Sequence, residues 1–179
     1  MNAKEVEIVN PNAKILQFEL RDDGTFPNNP KLPLDLYRAA LKLPKQGGAA
    51  LIEELLESHH WEGTWRNGIF TYHHYHSVAH EVLAVYSGSA KVQFGGPNGV
   101  TQEFTMSDVV VIPAGVSHKN LGASDDFRVV GGYPEGQQPD MCYGKPGERP
   151  NADENIRRVP MPKTDPIFGR TGPLIERWK

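Results

Sequence analysis

His74 and His76 lie two residues apart in a stretch rich in aromatic and β-branched residues (Ile69, Phe70, Thr71, Tyr72, Tyr75), which reads as a strand over Gly68–His76. Side chains on a strand alternate faces, so both imidazoles project from the same side. Five residues on, Glu81 opens a second apolar run, Val82 to Tyr86, that ends at Ser87-Gly88. Two histidines on one strand and a carboxylate at the start of the next can converge on one point. A further histidine, His118, follows the turn Pro113-Ala-Gly115 and is the candidate to join them. Imidazole and carboxylate are the ligands of a borderline divalent transition ion, so one such metal is the expected cofactor. Iron, manganese, nickel, cobalt and zinc all accept this set, and the residue types do not choose among them.

Gly68-x5-His74-x-His76-x4-Glu81-x6-Gly88 matches every fixed position of the first cupin motif, and Pro113-x-Gly115-x2-His118 resembles the core of the second. The second motif departs twice: Ser107 stands where that family usually has Gly, and Asn120 follows His118 by two residues instead of four. The flanking segments resemble the small YjlB-like group of uncharacterised bacterial single-domain cupins. The resemblance implies an all-β fold, the double-stranded β-helix or cupin jelly-roll barrel. It implies a metal held by His74, His76, Glu81 and His118, with two adjacent positions left open in an octahedral arrangement, and a homodimer. Cupins include dioxygenases, decarboxylases, isomerases and dehydratases as well as non-enzymatic binders. The expectation is therefore a metal-dependent enzyme acting on a small polar or carboxylate-bearing molecule. The alternative is a non-catalytic metal- or small-molecule-binding module with a regulatory or storage role.

Parity extends the site. If His74 and His76 face inward, so do Phe70 and Tyr72, while Leu83 and Val85 share a face with Glu81. These make an apolar pocket with the Tyr72 phenol as its polar handle and candidate proton donor. Arg128 and Tyr133 flank the last core strand and are candidate contacts for an anionic substrate. His73 falls on the opposite face from His74, and His80 would replace Glu81 only if the intervening turn differed. His59 and His60 end a helix, where its dipole favours cations. Cys142, beside Tyr143, reads as a buried or incidental cysteine.

Other elements must hold these residues in place. A strand is expected over Ala13–Leu20, a Pro/Asn-rich loop over Phe26–Pro33, and helices over Leu34–Leu43 and Ala49–His59. The second helix carries a Leu51, Ile52, Leu55, Leu56 stripe that reads as a cover packed on the barrel, with a dimer contact as the alternative. Short strands follow at Glu81–Tyr86, Ala90–Phe94, Thr101–Met106, Val109–Ile112 and Phe127–Gly132. From Gln137 onward seven prolines argue against central strands and regular helices, yet Ile156, Ile167, Phe168, Leu174 and Trp178 are too apolar for a disordered tail. An extended strap over the barrel or a partner is expected. This divides a single cupin domain into an N-terminal strand and helical extension (1–66), a barrel core (67–138) and a Pro-rich C-terminal strap (139–179).

The chain's 179 residues suffice for one domain that buries about two-thirds of its unfolded surface. A net charge of −3 with signs interspersed offers no basic block for nucleic acid, and no apolar run is long enough for a membrane helix. The expected partner is a small molecule. The opening residues have no apolar signal region, and one cysteine fits a reducing compartment, so a cytoplasmic location is expected.

Overall fold

Along the strand Glu81–Ser87, Leu83 and Val85 point to one side and Val82 and Ala84 to the other, and all four are fully buried. This alternation builds two cores, one on each face of a single sheet. The structure, a computed structural model, describes residues 8–179. The opening heptapeptide, read above as free of a signal region, lies outside the described residues. The strands are β1 (Lys14–Phe18), β2 (Leu34–Arg38), β3 (Trp61–Asn67), β4 (Glu81–Ser87), β5 (Ser89–Phe94), β6 (Val100–Thr105), β7 (Val109–Ile112), β8 (His118–Ala123) and β9 (Arg128–Pro134). Among the described residues the helices α1 (Gly48–Ser58), α2 (Asn151–Arg158) and α3 (Pro173–Arg177) accompany them.

The strands pair antiparallel in a six-stranded sheet of order β1-β2-β7-β4-β9-β3 and a three-stranded sheet of order β6-β5-β8. Leu34, Leu36, Leu83, Val110 and Val129 of the large sheet face Ala90, Val92, Phe94 and Phe104 of the small one across the inner core. This is the jelly-roll layout of a double-stranded β-helix, as the cupin resemblance implies. On the outer face of the large sheet, Val82, Ala84, Val109, Val111 and Val130 pack against Ile52, Leu55 and Leu56 of α1 and against Ile167, Leu174 and Trp178 of the C-terminal segment. Helix α1 is thus a cover, and the strap lies on its own sheet. Asp165 pins the strap: its carboxylate accepts the Tyr37 O–H at 2.8 Å and the N–H groups of Ile167, Phe168 and Leu174.

Four expectations need correction. Leu34–Leu43 is not a helix; its first half is β2, buried on both faces between β1 and β7, where an apolar pattern no longer distinguishes period 3.6 from period 2. Gly68–His76 is not a regular strand but an extended segment with isolated bridges at His74 and Tyr75. Strands β3, which starts at Trp61, and β8 went unread because their residues are largely polar or half-exposed. The strap is not wholly extended either. Pro150 and Pro160 leave room between them for α2, whose Asp153 and Glu154 sit in the first turn and Arg157 and Arg158 in the last, as the helix dipole favours. Pro173 opens α3 at a position where a missing N–H costs nothing. Among the described residues no helix is long and apolar enough to cross a membrane.

The loop between β6 and β7 absorbs one departure from the cupin pattern. Ser107, where Gly is usual, has φ 78°, the left-handed region, and donates its N–H to Val85 at 3.0 Å.

Candidate metal centre

Glu81 opens β4 opposite Ile112, and His118 opens β8 opposite Phe94, so each sheet delivers one side chain to the same end of the sandwich. The segment between β3 and β4 runs along β8 and delivers the other two. Asn120 donates its N–H to Phe70 O at 2.9 Å, and His74 and His118 exchange backbone hydrogen bonds of 3.3 and 3.0 Å. The Gly115 N–H closes on His76 O at 2.8 Å. The alternation expected of a strand holds over these few residues. His74 and His76 face a common cavity, whereas Tyr75 is buried among Phe26, Cys142 and Ala152, and the His73 ring lies 5.1 Å from that of Phe26, tilted 47° to it.

The four side chains are 2–6 % exposed. Glu81 Oε2 lies 3.3 Å from His118 Nε2 and 3.5 Å from His76 Nε2, and the His74 and His118 rings stand 4.1 Å apart. His76 donates Nδ1–H to the Asp140 carbonyl, a contact that fixes its tautomer and turns Nε2 inward. His74 Nδ1 faces Tyr72 O at a longer 3.4 Å. Glu81 Oε2 and His118 Nδ1 are buried with no hydrogen-bond partner. Among the described residues no three His, Cys, Asp or Glu side chains stand ready in ligating geometry, since here the carboxylate is drawn between two imidazoles. The chemistry of the donors nevertheless fits a divalent transition ion: three imidazoles and one buried carboxylate line one cavity.

Burial pushes the His118 imidazole down, and neighbouring His74 pushes it further. Burial also lowers His74. For His76 burial is the largest single influence and acts downward, but the charge and hydrogen bonding of Glu81 together with the Asp140 contacts leave the ring raised. Burial would raise the Glu81 carboxyl, yet the three imidazoles hold it well below the usual range. The cluster therefore presents a carboxylate among imidazoles of which two resist protonation.

The cavity measures about 250 Å³. Trp65, Ile69, Phe70, Leu83 and Met141 form apolar walls, with Tyr133, Arg66 and Asn67 adding polar groups. Tyr133 Oη accepts the Trp65 indole N–H at 3.0 Å, and its ring stands 5.9 Å from that of His76. Burial and the charge of Glu81 raise the Tyr133 phenol.

Of the residues expected to line a pocket, Phe70, Leu83 and Tyr133 do so. Tyr72 does not; it is 45 % exposed and stacks on Phe70 outside the cavity. Val85 lies deeper, in the inner core, and Arg128 is exposed on another surface, bonded to the carbonyls of Asp125 and Phe127. His80 is buried against Trp178, its Nδ1 accepting the Ala114 N–H, and takes no part in the cluster. His59 caps the C-terminus of α1, as its place at a helix end implies, and is buried there with Nδ1 at 2.9 Å from Pro166 O of the strap. His60 faces Glu135 at 3.5 Å on the surface.

Several contributors escaped the sequence reading. Asp140 accepts both the N–H and O–H of Ser77 while its carbonyl holds His76, an arrangement reaching across 60-odd residues. Trp65 reaches the cavity because Gly131, its partner in the β3–β9 register, has no Cβ; one there would overlap the indole. The Gly131-Gly132 pair within a strand was the available signal of such a close approach.

No protein-family model matches the chain. The chain is 46 % identical over 157 residues to the "Uncharacterized protein YjlB" of Bacillus subtilis (strain 168), covering 88 % of this chain and 92 % of that protein. Among solved structures, procruciferin of Brassica napus aligns at TM-score 0.38 and 22 % identity over 54 % of this chain, which spans only 29 % of that globulin. The epimerase RmlC of Legionella pneumophila aligns at TM-score 0.38 and 14 % identity, covering 68 % of this chain and 72 % of RmlC. A conserved double-stranded β-helix protein of Klebsiella pneumoniae aligns at TM-score 0.34 and 11 % identity over 80 % and 89 % of the two chains. Likenesses this distant bear no weight as to activity.

Proposed function

The chain belongs to the YjlB family, and we propose that it is a metal-dependent enzyme acting on a small polar or carboxylate-bearing molecule, with His74, His76, Glu81 and His118 holding the ion. The observation that carries this reading is the buried Glu81 carboxylate, whose Oε2 lies 3.3 Å from His118 Nε2 and 3.5 Å from His76 Nε2, with the His76 Nε2 turned inward by its Asp140 contact. A buried ionised group is costly unless compensated, and a cation among these donors compensates it. Held by these residues, such an ion would supply Lewis-acid chemistry.

The remaining roles fall to the chain. Glu81 contributes the negative charge among otherwise neutral ligands. Tyr133 holds a proton at Oη; that oxygen accepts from Trp65, which leaves its own O–H for Glu81 or for a bound substrate. In this reading Tyr133, not Tyr72, is the proton donor. Trp65, Ile69, Leu83 and Met141 exclude water and strengthen the polar contacts within.

The test is a panel of small carboxylic acids offered to metal-containing protein, with dioxygen uptake and carbon dioxide release followed. Turnover that is lost in His76→Ala and slowed on the order of a hundredfold in Tyr133→Phe is the expected result. Thermal stabilisation by a panel member without turnover would instead assign the protein as a binding module with a regulatory or storage role.

A further inference from the structure

We propose that an aromatic ledge outside the cavity, formed by Phe70, Tyr72 and Tyr143, is the outer half of the substrate site and that the substrate carries an aryl group. The proposal rests on the reading of the cavity above and narrows its substrate class. At about 250 Å³ the cavity lies below the ordinary range for whole small-molecule sites and seats a polar head group. The apolar surface does not stop at its mouth. Phe70 lines the cavity yet is 45 % exposed, and it stacks on Tyr72 at 4.9 Å with planes 13° apart. Tyr72, equally exposed, lies 5.9 Å from the Tyr143 ring, and Met141 is shared between the cavity wall and the surface. The rings of Phe70, Tyr72 and Tyr143 thus continue the inner wall outward.

The ledge is held in place, so little ordering is left for a ligand to impose. Phe70 O accepts the Asn120 N–H, the His74–His118 bridge fixes the segment beyond it, and the Tyr143 N–H donates to Glu148 at 2.7 Å. Lys145 stands 4.8 Å from the Tyr143 ring and ends the ledge with a positive charge. Exposed aromatic faces favour offset or edge-on contact with another ring. A molecule with its acid or enol oxygen among His74, His76, Glu81 and His118 would lay such a ring on Phe70 and Tyr72. A second copy of the chain on this surface would close the cavity mouth, which argues for a small-molecule occupant.

The experiment titrates acetate, benzoate and 2-naphthoate by calorimetry into the protein as purified, its metal content measured. Two variants accompany it: Tyr72→Ser/Tyr143→Ser, and Leu121→Ser as a control at an exposed leucine of β8 that does not line the cavity. Affinity should rise about tenfold from acetate to naphthoate, as one or two added ring contacts permit. The rise should persist in the control and shrink to about threefold or less in the double variant. A flat series, no binding of any acid, or a rise that the double variant keeps overturns the proposal. So does a parent dimer that the double variant converts to monomer on sedimentation, since the ledge is then a protein interface. A parent that stays metal-free after reconstitution and still ranks the acids through the ledge would sink only the metal reading, whereas a metal-loaded parent with a flat series would sink only the ledge.

Discussion

Replacing Asp165 with Ala should release the C-terminal strap from the large sheet. The Asp165 side chain is fully buried and accepts four hydrogen bonds: from Tyr37 Oη at 2.8 Å, Ile167 N at 2.8 Å, and Phe168 N and Leu174 N at 3.0 Å each. Truncation leaves four donors facing apolar packing that includes Ile167 and Leu174. Each unsatisfied buried donor costs about 1–3 kcal/mol, and partial relaxation or an entering water reduces the sum, so a loss of about 4–6 kcal/mol is expected. That is a large share of the roughly 5–15 kcal/mol available to a domain. In urea, with a slope of about 2 kcal/mol/M, the midpoint should fall by roughly 2–3 M. Trp178 and Trp61, in the same packed layer, report the change by fluorescence. Tyr37→Phe alone removes one donor and should cost about 1–2 kcal/mol, and in the double variant the two losses should add to less than their sum. An Asp165→Ala loss below about 1 kcal/mol would refute the reasoning and leave apolar burial alone to hold the strap.

Three further outcomes follow from particular residues. Asp35 is buried in β2, with Oδ1 bonded to Gln17 and Oδ2 unpartnered, and burial raises its carboxyl from 3.8 to about 6. A carboxyl raised by folding stabilises the fold below its unfolded value and loses that contribution as pH rises through about 6. Relative to Asp35→Asn, the parent should therefore lose about 2–3 kcal/mol between pH 4 and 7 in urea titrations, and parallel pH profiles would contradict this. Ser107→Gly should stabilise by about 0.5–1 kcal/mol, because relief of the left-handed backbone exceeds the added chain entropy; thermal unfolding would show it, and a lower Tm would refute it. Gly131→Ala should displace the Trp65 indole, break its bond to Tyr133, cost about 1–3 kcal/mol and shift tryptophan emission, whereas unchanged emission would show that the indole had other room.

The metal-ligand candidates were legible because their spacing is local. His74 and His76 alternate onto one side, and Glu81 and His118 each start a strand. What lay beyond local pattern was pairing. Asp140 and Met141 reach the site from a Pro-rich segment with no periodicity, and Trp65 depends on its register opposite Gly131. Parity carried outward from His74 fails at Tyr72, although Phe70 does line the cavity, because the segment has the regular bridge of a strand only near His74 and Tyr75. The strand β2 reads as a helix in sequence because both of its faces are buried, and the prolines around α2 hide it, although nine residues separate Pro150 from Pro160.

The central claim is tested most directly by elemental analysis of protein purified without chelator or histidine tag, beside His74→Ala/His118→Ala. The account predicts about one equivalent of divalent transition metal in the parent and a large loss in a variant that remains folded by circular dichroism. Negligible metal in the parent after reconstitution, or equal metal in both proteins, would contradict it.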